Sequence, residues 1–561
     1  MRKKNSILIK FAPDWLTLVS GVLVVVAFPP WNLGFLIWIS LIPWLLALHR
    51  AKDLQQAIVQ GVWFSIIMSV GGFYWVAYAL QEFGNLPWAV CILGLILFGI
   101  VGQPQFIAFA ALYKKLESSG YLKIKSQGPG PASHQPLRRA FRPGLMLWVL
   151  ILFLAFAYTT LDAFLPKIFQ DTLGHATYQD RYMRQVADLG GASLITFLIF
   201  FWNYSLLHSL RALKKNHKIS SILNPSFVPL LFALLSVGAA WTYGYFRHQE
   251  IQTIVKDSTH SLQMAAIQAN IGDFDKVAAE GGLGGAATQV MNTFTSMTDL
   301  ALKLDPRPEV VIWPETAYPS TFRTPHSYLD AKLDERLENY SHSISVPLLF
   351  GGYDHFQGKD FNAFFFLSPL GQLQTYRKSI LLLFGEYIPG ADSFPFIKSA
   401  FPQVGNFGRG AGPEILAVDT AKEKVRISPM ICYEALFPWF NIEAARKGAQ
   451  IILNITNDSW FGTWGEPQLH LALSAFRSIE TRLPMLRSTN TGISALILPD
   501  GEITQATSIG VQTVMNAKVP ITPPIPTLMR LWGDWFCYLC LVLSGLGSWL
   551  IFRQRLLMKS R

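Results

Sequence analysis

The sequence predicts a polytopic bundle of eight membrane-spanning helices that carries an α/β domain on its outer side. Three observations predict this class. The chain of 561 residues is 51% hydrophobic, only 15% charged and contains 17 tryptophans, which is far from the average of soluble proteins. Eight apolar runs are long enough to span a bilayer, for which about 20 residues are needed. A long polar stretch with short strand-like segments separates the seventh run from the eighth.

The apolar runs divide the chain into three parts. We place seven spans in a membrane domain at residues 1–257, the α/β domain at 258–525, and the eighth span with a tail at 526–561. A chain of this length exceeds what one hydrophobic core organises, so a division into domains is expected. The spans lie near 14–30, 33–49, 57–80, 87–113, 144–165, 192–212, 227–247 and 529–552.

Lysine and arginine alternate with the spans as the positive-inside rule requires. They precede the first span, follow the second, fourth and sixth, and end the chain, whereas the loops "PPWN" and "QEFGN" contain neither residue. Both termini should therefore face the cytoplasm, with the α/β domain outside. The formal net charge of +11 is then explained by topology and anionic lipid, and nucleic-acid binding is unnecessary.

One outside loop among the helices, residues 162–190, is long and carries charges of both signs. Two interpretations are open for it. The loop is either a solvated connector or part of a roof over a lipid entrance.

The polar stretch alternates short β-branched or apolar runs with helix-like segments. The strand-like runs include "EVVIW", "VPLLFGG", "VRISPMIC" and "AQIILNIT". Helices are predicted near 286–304, 329–343, 437–447 and 468–483. Such alternation is typical of an α/β domain in which helices cover a sheet.

Cys432 is the only cysteine of this polar stretch, and it ends the extended run "VRISPMIC". The other three cysteines lie in apolar runs, where packing is expected and a metal or redox site is not. Glu315 closes "EVVIWPE" and Lys378 closes "LQTYRK" in the same manner. At one rim of a sheet these groups would form a nucleophile, its base and an oxyanion stabiliser. That set predicts acyl transfer through a thioester.

Five longer motifs make the pattern specific. "VVIWPETAYP", "YRKSILLLFGEYIP", "MICYEALFP", "NITNDSWFG" and "RSIETRLPMLRSTNTGIS" occur in this order. Together they resemble the nitrilase superfamily with its Glu–Lys–Cys triad. With spans on both sides, nearly the whole chain resembles the membrane-embedded apolipoprotein N-acyltransferase family. The resemblance implies an αββα sandwich for the α/β domain and catalytic roles for Glu315, Lys378 and Cys432.

The resemblance also implies supporting residues. Glu386 would hold Lys378 or steer protons, with a structural cap as the alternative. Tyr433 and Glu434 would serve the reaction or hold the active-site loop, with a helix start as the alternative. Trp460 and Phe461 are possible contacts for an acyl chain or a lipoprotein, and packing is an equal possibility.

The activity that the resemblance implies is the last step of bacterial lipoprotein maturation. A phospholipid, with phosphatidylethanolamine as the implied donor, would acylate Cys432. The thioester would then pass its acyl chain to the α-amino group of an apolipoprotein's N-terminal diacylglyceryl-cysteine, with ping-pong kinetics. The enzyme would lie in the bacterial cytoplasmic (inner) membrane with its catalytic domain on the periplasmic face. This chemistry requires no metal or organic cofactor.

Two other functions remain open at this stage. A membrane-anchored nitrilase-type amidase would share the triad, although eight spans exceed what anchoring requires. A catalytically inactive lipid-binding receptor or transporter is the second alternative. The complete triad argues against it, as does the small number of charged residues inside the predicted spans of this chain.

Overall fold

The computed structural model describes residues 11–84, 86–119, 143–215, 227–272, 285–390, 394, 396, 405–420 and 424–559. The chain forms two compact units. The helical unit consists of Met1–Tyr74, Ala89–Phe246 and Asp534–Arg561, and the α/β unit consists of Trp75–Trp88 and Arg247–Gly533. The short segment Trp75–Trp88 therefore belongs to the α/β unit, although apolar helices precede and follow it in sequence.

The described residues before the first strand are mostly helical. Side chains start two of these helices, because Asp14 and Asp53 accept hydrogen bonds from backbone N–H groups of the first turn. In chain order the helices are α1 (Trp15–Ala27), α2 (Ile37–Arg50), α3 (Leu54–Gly72), α4 (Trp75–Gly84), α5 (Trp88–Val101), α6 (Pro104–Ser118), α7 (Pro143–Phe164), α8 (Ala187–Lys215) and α9 (Val228–Asp257).

Several of these helices are long and apolar enough to cross a membrane. By length and composition the described residues contain three such segments, Leu54–Gly72, Met183–Lys214 and Val228–Asp257. The pair α5 and α6, bent by 44°, makes a fourth if it counts as one span. Shorter apolar helices cover Trp15–Ala27, Gly34–Arg50, Trp148–Phe164 and Trp535–Ile551. The helical region predicted from the sequence is confirmed, with three to four helices of spanning length.

Two predicted spans are interrupted. The run 57–80 was expected to form one helix, but α3 ends at Gly72 and α4 starts at Trp75. The run 529–552 is divided by Gly533, whose φ of 69° lies in the left-handed region where glycine is favoured. Apolar composition continues across the first break, so hydrophobicity did not reveal it, whereas Gly533 and Asp534 mark the second.

Most residues of the loop at 162–190 are buried or half-buried, which does not match a solvated connector. The loop contains two short 3₁₀ turns, Leu173–Thr177 and Met183–Val186. Lys167 Nζ lies 3.0 Å from Asp162 Oδ1, and the Gln103 amide donates to both oxygens of Asp171 at 3.2 and 3.1 Å. These three charged residues are thus paired or hydrogen-bonded inside the helical unit.

The α/β unit contains two six-stranded sheets. The strands are β1 (Ser261–Gln268), β2 (Val310–Ile312), β3 (Leu348–Phe356), β4 (Lys359–Leu367), β5 (Leu373–Arg377), β6 (Leu416–Asp419), β7 (Lys424–Ile431), β8 (Ile451–Thr456), β9 (Met485–Thr489), β10 (Ala495–Ile497), β11 (Ile503–Ala506) and β12 (Thr513–Pro520). The first sheet has the order β12-β1-β2-β3-β4-β5 and the second β11-β10-β9-β8-β7-β6. The central strands β1, β2 and β3 run parallel, as do β7, β8 and β9.

Helices cover the outer faces of the sheets. α10 (Ala286–Ala301) and α11 (Tyr328–Ile344) share a buried core with the first sheet. α12 (Pro438–Arg446) and α13 (Glu466–Thr481) accompany the second sheet, and α14 (Leu528–Trp532) and α15 (Trp535–Lys559) follow it in sequence. The two sheets meet where β1 contacts β9 and β4 contacts β7. The predicted α/β layering and its four helices are confirmed.

An aromatic cluster on β3 supports the first sheet and should determine its stability. The Phe350 ring lies 5.1 to 6.2 Å from the rings of Trp313, Tyr318, Phe322 and Phe365. Phe350→Ala should lower the stability of the α/β unit by about 3–5 kcal/mol, because it leaves a cavity in a dense core. The measurement is the thermal unfolding midpoint of the purified full-length protein.

The matched control is Leu370→Ala, since Leu370 is 85% exposed and its truncation removes little buried area. Equal midpoints for the two variants would show that the aromatic cluster does not support the sheet.

Candidate active site

The three residues singled out by the sequence follow strands whose ends lie at one edge of the paired sheets. Glu315 follows β2 after Trp313 and Pro314, and Lys378 directly follows β5. Cys432 opens a 3₁₀ turn directly after β7. The first sheet thus provides the carboxylate and the ammonium, and the second sheet provides the thiol.

Lys378 is buried between two carboxylates. Its Nζ atom lies 2.8 Å from Glu386 Oε1 and 3.2 Å from Glu315 Oε1, and the residue is only 2% exposed. Burial disfavours the charged amine, but the charges of Glu315, Glu386 and Cys432 outweigh it and raise the pKa of Lys378 well above its ordinary value. The site therefore contains a fixed ammonium ion.

Asn362, on β4, joins the two carboxylates. Its side-chain amide donates to Glu315 Oε1 at 2.8 Å and to Glu386 Oε1 at 2.9 Å. Glu315 Oε2 accepts a further hydrogen bond from the backbone N–H of Asn457 at 2.9 Å. Glu386 Oε2 accepts one from the backbone of Leu382 at 2.8 Å. Both carboxylates are thus held in one orientation by groups from separate parts of the chain.

Gly351 lets β3 approach Glu315 closely. A Cβ atom at this position would lie 2.6 Å from Glu315 Cα and 2.7 Å from the Pro314 carbonyl oxygen. Both of these contacts are to backbone atoms, which cannot rotate away as a flexible side chain could. Any larger residue would therefore displace Glu315.

Cys432 is a free, buried thiol in a left-handed backbone conformation with φ of 51°. Burial raises its pKa well above the ordinary value, and the Glu315 charge adds to this effect while Lys378 opposes it. The thiol thus lies within the electrostatic reach of both residues. At neutral pH it carries its proton, so a reaction as nucleophile requires a base.

Glu434 connects the segment that follows Lys378 (the lysine loop) to the 3₁₀ turn Cys432–Leu436 (the cysteine turn). Its Oε1 accepts from the Tyr376 hydroxyl at 2.7 Å and from the backbone of Ser379 at 2.6 Å. Its Oε2 accepts the backbone N–H of Ile431 at 2.8 Å. Burial raises the pKa of Glu434 to about 7, although these donors favour the carboxylate. The bonds to Tyr376 and Ser379 match the predicted role of holding the active-site loop, and the bond to Ile431 matches the alternative of a helix start.

The aromatic candidates differ in their surroundings. The Tyr433 ring packs edge-on against Phe437 at 4.9 Å, and burial raises the pKa of its phenol. Phe461 packs edge-on against Trp75 of α4 at 4.9 Å, so packing accounts for its position. Trp460 is 42% exposed and is available for contact with a ligand.

Four polar residues of the last motif, Arg477, Glu480, Arg487 and Asn490, are fully buried. Arg477 Nη2 donates to Glu480 Oε1 at 2.8 Å within α13. Arg487 Nη1 donates from β9 to Ser474 of α13 at 2.9 Å. The Asn490 amide donates to Asn457 Oδ1 at 3.0 Å and so joins the loops that follow β8 and β9.

Three groups of histidine and carboxylate side chains in the described residues bring potential metal ligands within 4.8 Å of one another. In the group Asp458–Glu466–His470, the Arg487 guanidinium lies 3.7 Å from Asp458 Oδ2 and already supplies the positive charge that a cation would bring. In the group His248–Asp500–Glu502, His248 Nδ1 lies 2.9 Å from Asp500 Oδ2. The groups are His326–His355–Asp360, His248–Asp500–Glu502 and Asp458–Glu466–His470. We assign a metal to none of them.

Sequence reasoning missed two residues of the site, Asn362 and Gly351. Asn362 lies in the apolar run "NAFFFL", and a polar residue in a buried strand is a signal that could have been noticed. Gly351 lies in "FGGYD" and signals a close approach of the backbone, although not its partner.

Comparison with known proteins relates both units to described families. Residues 20–205 match the apolipoprotein N-acyltransferase N-terminal domain, and residues 263–521 match the carbon-nitrogen hydrolase family. An apolipoprotein N-acyltransferase of Bdellovibrio bacteriovorus is 32% identical over 94% of this chain and 92% of its own length. One from Geobacter metallireducens is 28% identical over 96% and 95%. Among solved structures, a variant of the amidase from Nesterenkonia sp. AN1 is 14% identical, covers 46% of this chain and 90% of its own, and has a TM-score of 0.34.

The raised pKa of Glu434 predicts a pH-dependent stability. The pKa of about 7 in the folded protein lies above the ordinary value of 4.5, so protonation of this carboxyl favours the folded state. Its contribution to the free energy of unfolding is complete below pH 4.5 and is lost as the pH rises through 7. The loss is on the order of 3 kcal/mol, since each pH unit of that gap is worth about 1.4 kcal/mol. Glu434→Gln should therefore flatten the fall of the thermal midpoint between these pH values.

Glu443→Gln is the control for this experiment, because Glu443 is an exposed glutamate whose side chain pairs with Lys447 at the surface. In this variant the thermal midpoint should fall with pH as steeply as in the unchanged protein. If Glu434→Gln also keeps that slope, the carboxyl of Glu434 does not titrate as described.

Proposed function

Because the chain belongs to the apolipoprotein N-acyltransferase family, we propose that Cys432 carries an acyl chain as a thioester between its two substrates. The enzyme is an N-acyltransferase that takes the chain from a phospholipid and delivers it to the α-amino group of an apolipoprotein's N-terminal diacylglyceryl-cysteine. This reaction is the last step of bacterial lipoprotein maturation. The observation that supports the thioester route best is the buried ammonium of Lys378 beside Glu315 and within electrostatic reach of Cys432.

The first step is removal of the thiol proton. The raised pKa of Cys432 keeps the sulfur protonated at neutral pH, so attack requires a base. Glu315 accepts that proton, since it is the carboxylate whose charge acts most strongly on the thiol. The thiolate then attacks the ester carbonyl carbon of the phospholipid.

The second step is collapse of the tetrahedral intermediate. Negative charge develops on the former carbonyl oxygen, and the Lys378 ammonium stabilises it. The bond to the glycerol oxygen breaks, and Glu315 returns its proton to this leaving group. A lysophospholipid departs, and the acyl chain remains on the sulfur.

The third step transfers the chain to the amine. The α-amino nitrogen attacks the thioester carbon, and Lys378 stabilises the second oxyanion as it did the first. Glu315 accepts a proton from the nitrogen and gives it to the departing sulfur, which restores the thiol. The products are an amide and the free enzyme, and the kinetics are ping-pong.

The supporting residues keep this machinery in place. Glu386 and Asn362 hold Lys378 and Glu315, and Glu434 fixes the cysteine turn relative to the lysine loop. The exposed ring of Trp460 is proposed to contact the acyl chain or the lipoprotein.

The described residues contain three to four helices of spanning length, and the full membrane arrangement is a proposal. We propose eight spans, with the three domains at 1–257, 258–525 and 526–561. Alternating positive charge supports a cytoplasmic position for both termini and a periplasmic catalytic domain in the inner membrane. Phosphatidylethanolamine is proposed as the donor.

A labelled phospholipid tests the thioester route directly. The purified protein should acquire a hydroxylamine-sensitive acyl adduct on Cys432 and should discharge it onto a diacylated lipopeptide amine. Cys432→Ala should form no adduct. Lys378→Met should slow adduct formation by about 10²–10³-fold, which is the typical cost of losing an oxyanion donor.

Cys91→Ala is the matched control, because Cys91 is also a buried cysteine outside any disulfide and its removal should leave the adduct unchanged. Hydrolysis of small amides without an adduct from lipid would favour an amidase. Absence of covalent chemistry in both assays would favour a lipid-binding receptor or transporter. Either outcome would contradict the proposed transfer.

A further inference from the structure

A buried group of charged residues on the second sheet takes no part in the thioester steps. Asp458 Oδ1 lies 3.4 Å from His470 Nδ1, which lies 3.4 Å from Glu466 Oε1. Asp458 Oδ2 lies 3.7 Å from Arg487 Nη2. Burying four ionisable groups is costly unless they are paired and hydrogen-bonded with one another. Apolar packing of the same volume would avoid this cost.

Thr456 connects this group to the nucleophile. β7 and β8 are parallel with Ile431 beside Ile455, so Cys432 and Thr456 are the next residues at the strand ends. The Thr456 hydroxyl is near enough to the Cys432 thiol to lower its pKa as a hydrogen-bond partner, against the larger effect of burial. It also donates to Asp458 Oδ1 at 2.8 Å. The hydroxyl therefore lies between the reacting sulfur and a carboxylate.

A threonine hydroxyl has one proton and two lone pairs. While it donates to Asp458, it offers only a lone pair to the sulfur, which suits the S–H form. Once the sulfur is a thiolate, the better use of the proton is to point at the sulfur, because hydrogen bonds to charged acceptors are the stronger ones.

Asp458 can lose this hydrogen bond because other groups balance its charge. Burial opposes its ionisation, but the contacts with His470 and Arg487 hold the pKa of Asp458 below its ordinary value. Burial and Arg487 disfavour the imidazolium, yet Asp458 and Glu466 outweigh them and raise the pKa of His470. The carboxylate thus stays ionised whichever way the hydroxyl points.

We propose that Thr456 is a further catalytic residue whose hydroxyl is shared between two acceptors. It donates to Asp458 while Cys432 is a thiol and turns to the sulfur when the thiolate forms. Asp458 is the positioning residue that holds the hydroxyl in the resting enzyme. This inference rests on the proposed role of Cys432 as the nucleophile.

Other ionisable groups also act on Cys432 from the surrounding elements. Glu315 follows β2, Lys378 follows β5, Arg487 lies on β9 and Tyr433 is the next residue of the turn. Substitutions at Thr456 and Asp458 leave these four groups in the protein. A comparison of such variants therefore isolates the hydroxyl and its carboxylate.

The test measures how the alkylation rate of Cys432 by iodoacetamide depends on pH in the full-length protein, with the modified peptide identified by mass spectrometry. Thr456→Val should raise the midpoint of this profile by about one pH unit, which is a tenfold lower reactivity at neutral pH. Thr456→Ser keeps the hydroxyl and should restore the original midpoint. Asp458→Asn should lower the midpoint, because it removes a nearby negative charge and releases the hydroxyl.

A midpoint for Thr456→Val equal to that of the unchanged protein would overturn the inference, as would shifts of Thr456→Val and Asp458→Asn in the same direction. A merely structural role would not move the two variants in opposite directions. Alkylation requires no lipid. A protein that alkylates as described but forms no acyl adduct would contradict the proposed function and leave this inference standing.

Discussion

The active site depends on one lysine ammonium that is buried and yet charged. Removing Lys378 from water is unfavourable, and Glu315 and Glu386 compensate by lying 3.2 and 2.8 Å from it. Only loss of both partners would leave the ammonium uncompensated in the interior, and an unpaired buried charge typically costs about 3–5 kcal/mol. The same pairing supplies the fixed positive charge that a developing oxyanion needs, so the cost of burial and the catalytic benefit come from one arrangement.

This arrangement explains why the site needs two sheets. Lys378 and its two carboxylate partners belong to the first sheet. There Asn362 and the close approach of Gly351 hold these carboxylates in place. The thiol belongs to the second sheet and would be free to shift against that set. Glu434 prevents such a shift, because it accepts hydrogen bonds from the backbone beside Lys378 and from the backbone before Cys432. One buried carboxylate thereby aligns the two halves of the site.

Much of the site could be predicted because its three principal residues each end an extended run, and the ends of parallel strands meet at one edge. The α/β layers followed from alternating strand-like and helix-like segments for the same reason. The partners of Asn362 could not be predicted, since they are remote in sequence and only the fold brings them together. The break after Gly72 was missed because residues 73–80 remain apolar, and composition alone does not distinguish one long helix from two.

In the proposed mechanism the Lys378 ammonium faces the oxygen on which charge develops. A structure of the acyl-enzyme, trapped with phospholipid in the absence of an acceptor amine, measures this directly. We expect the thioester carbonyl oxygen on Cys432 to lie within about 3 Å of Lys378 Nζ. A carbonyl oxygen directed away from Lys378, with the ammonium still bound only to its two carboxylates, would contradict it.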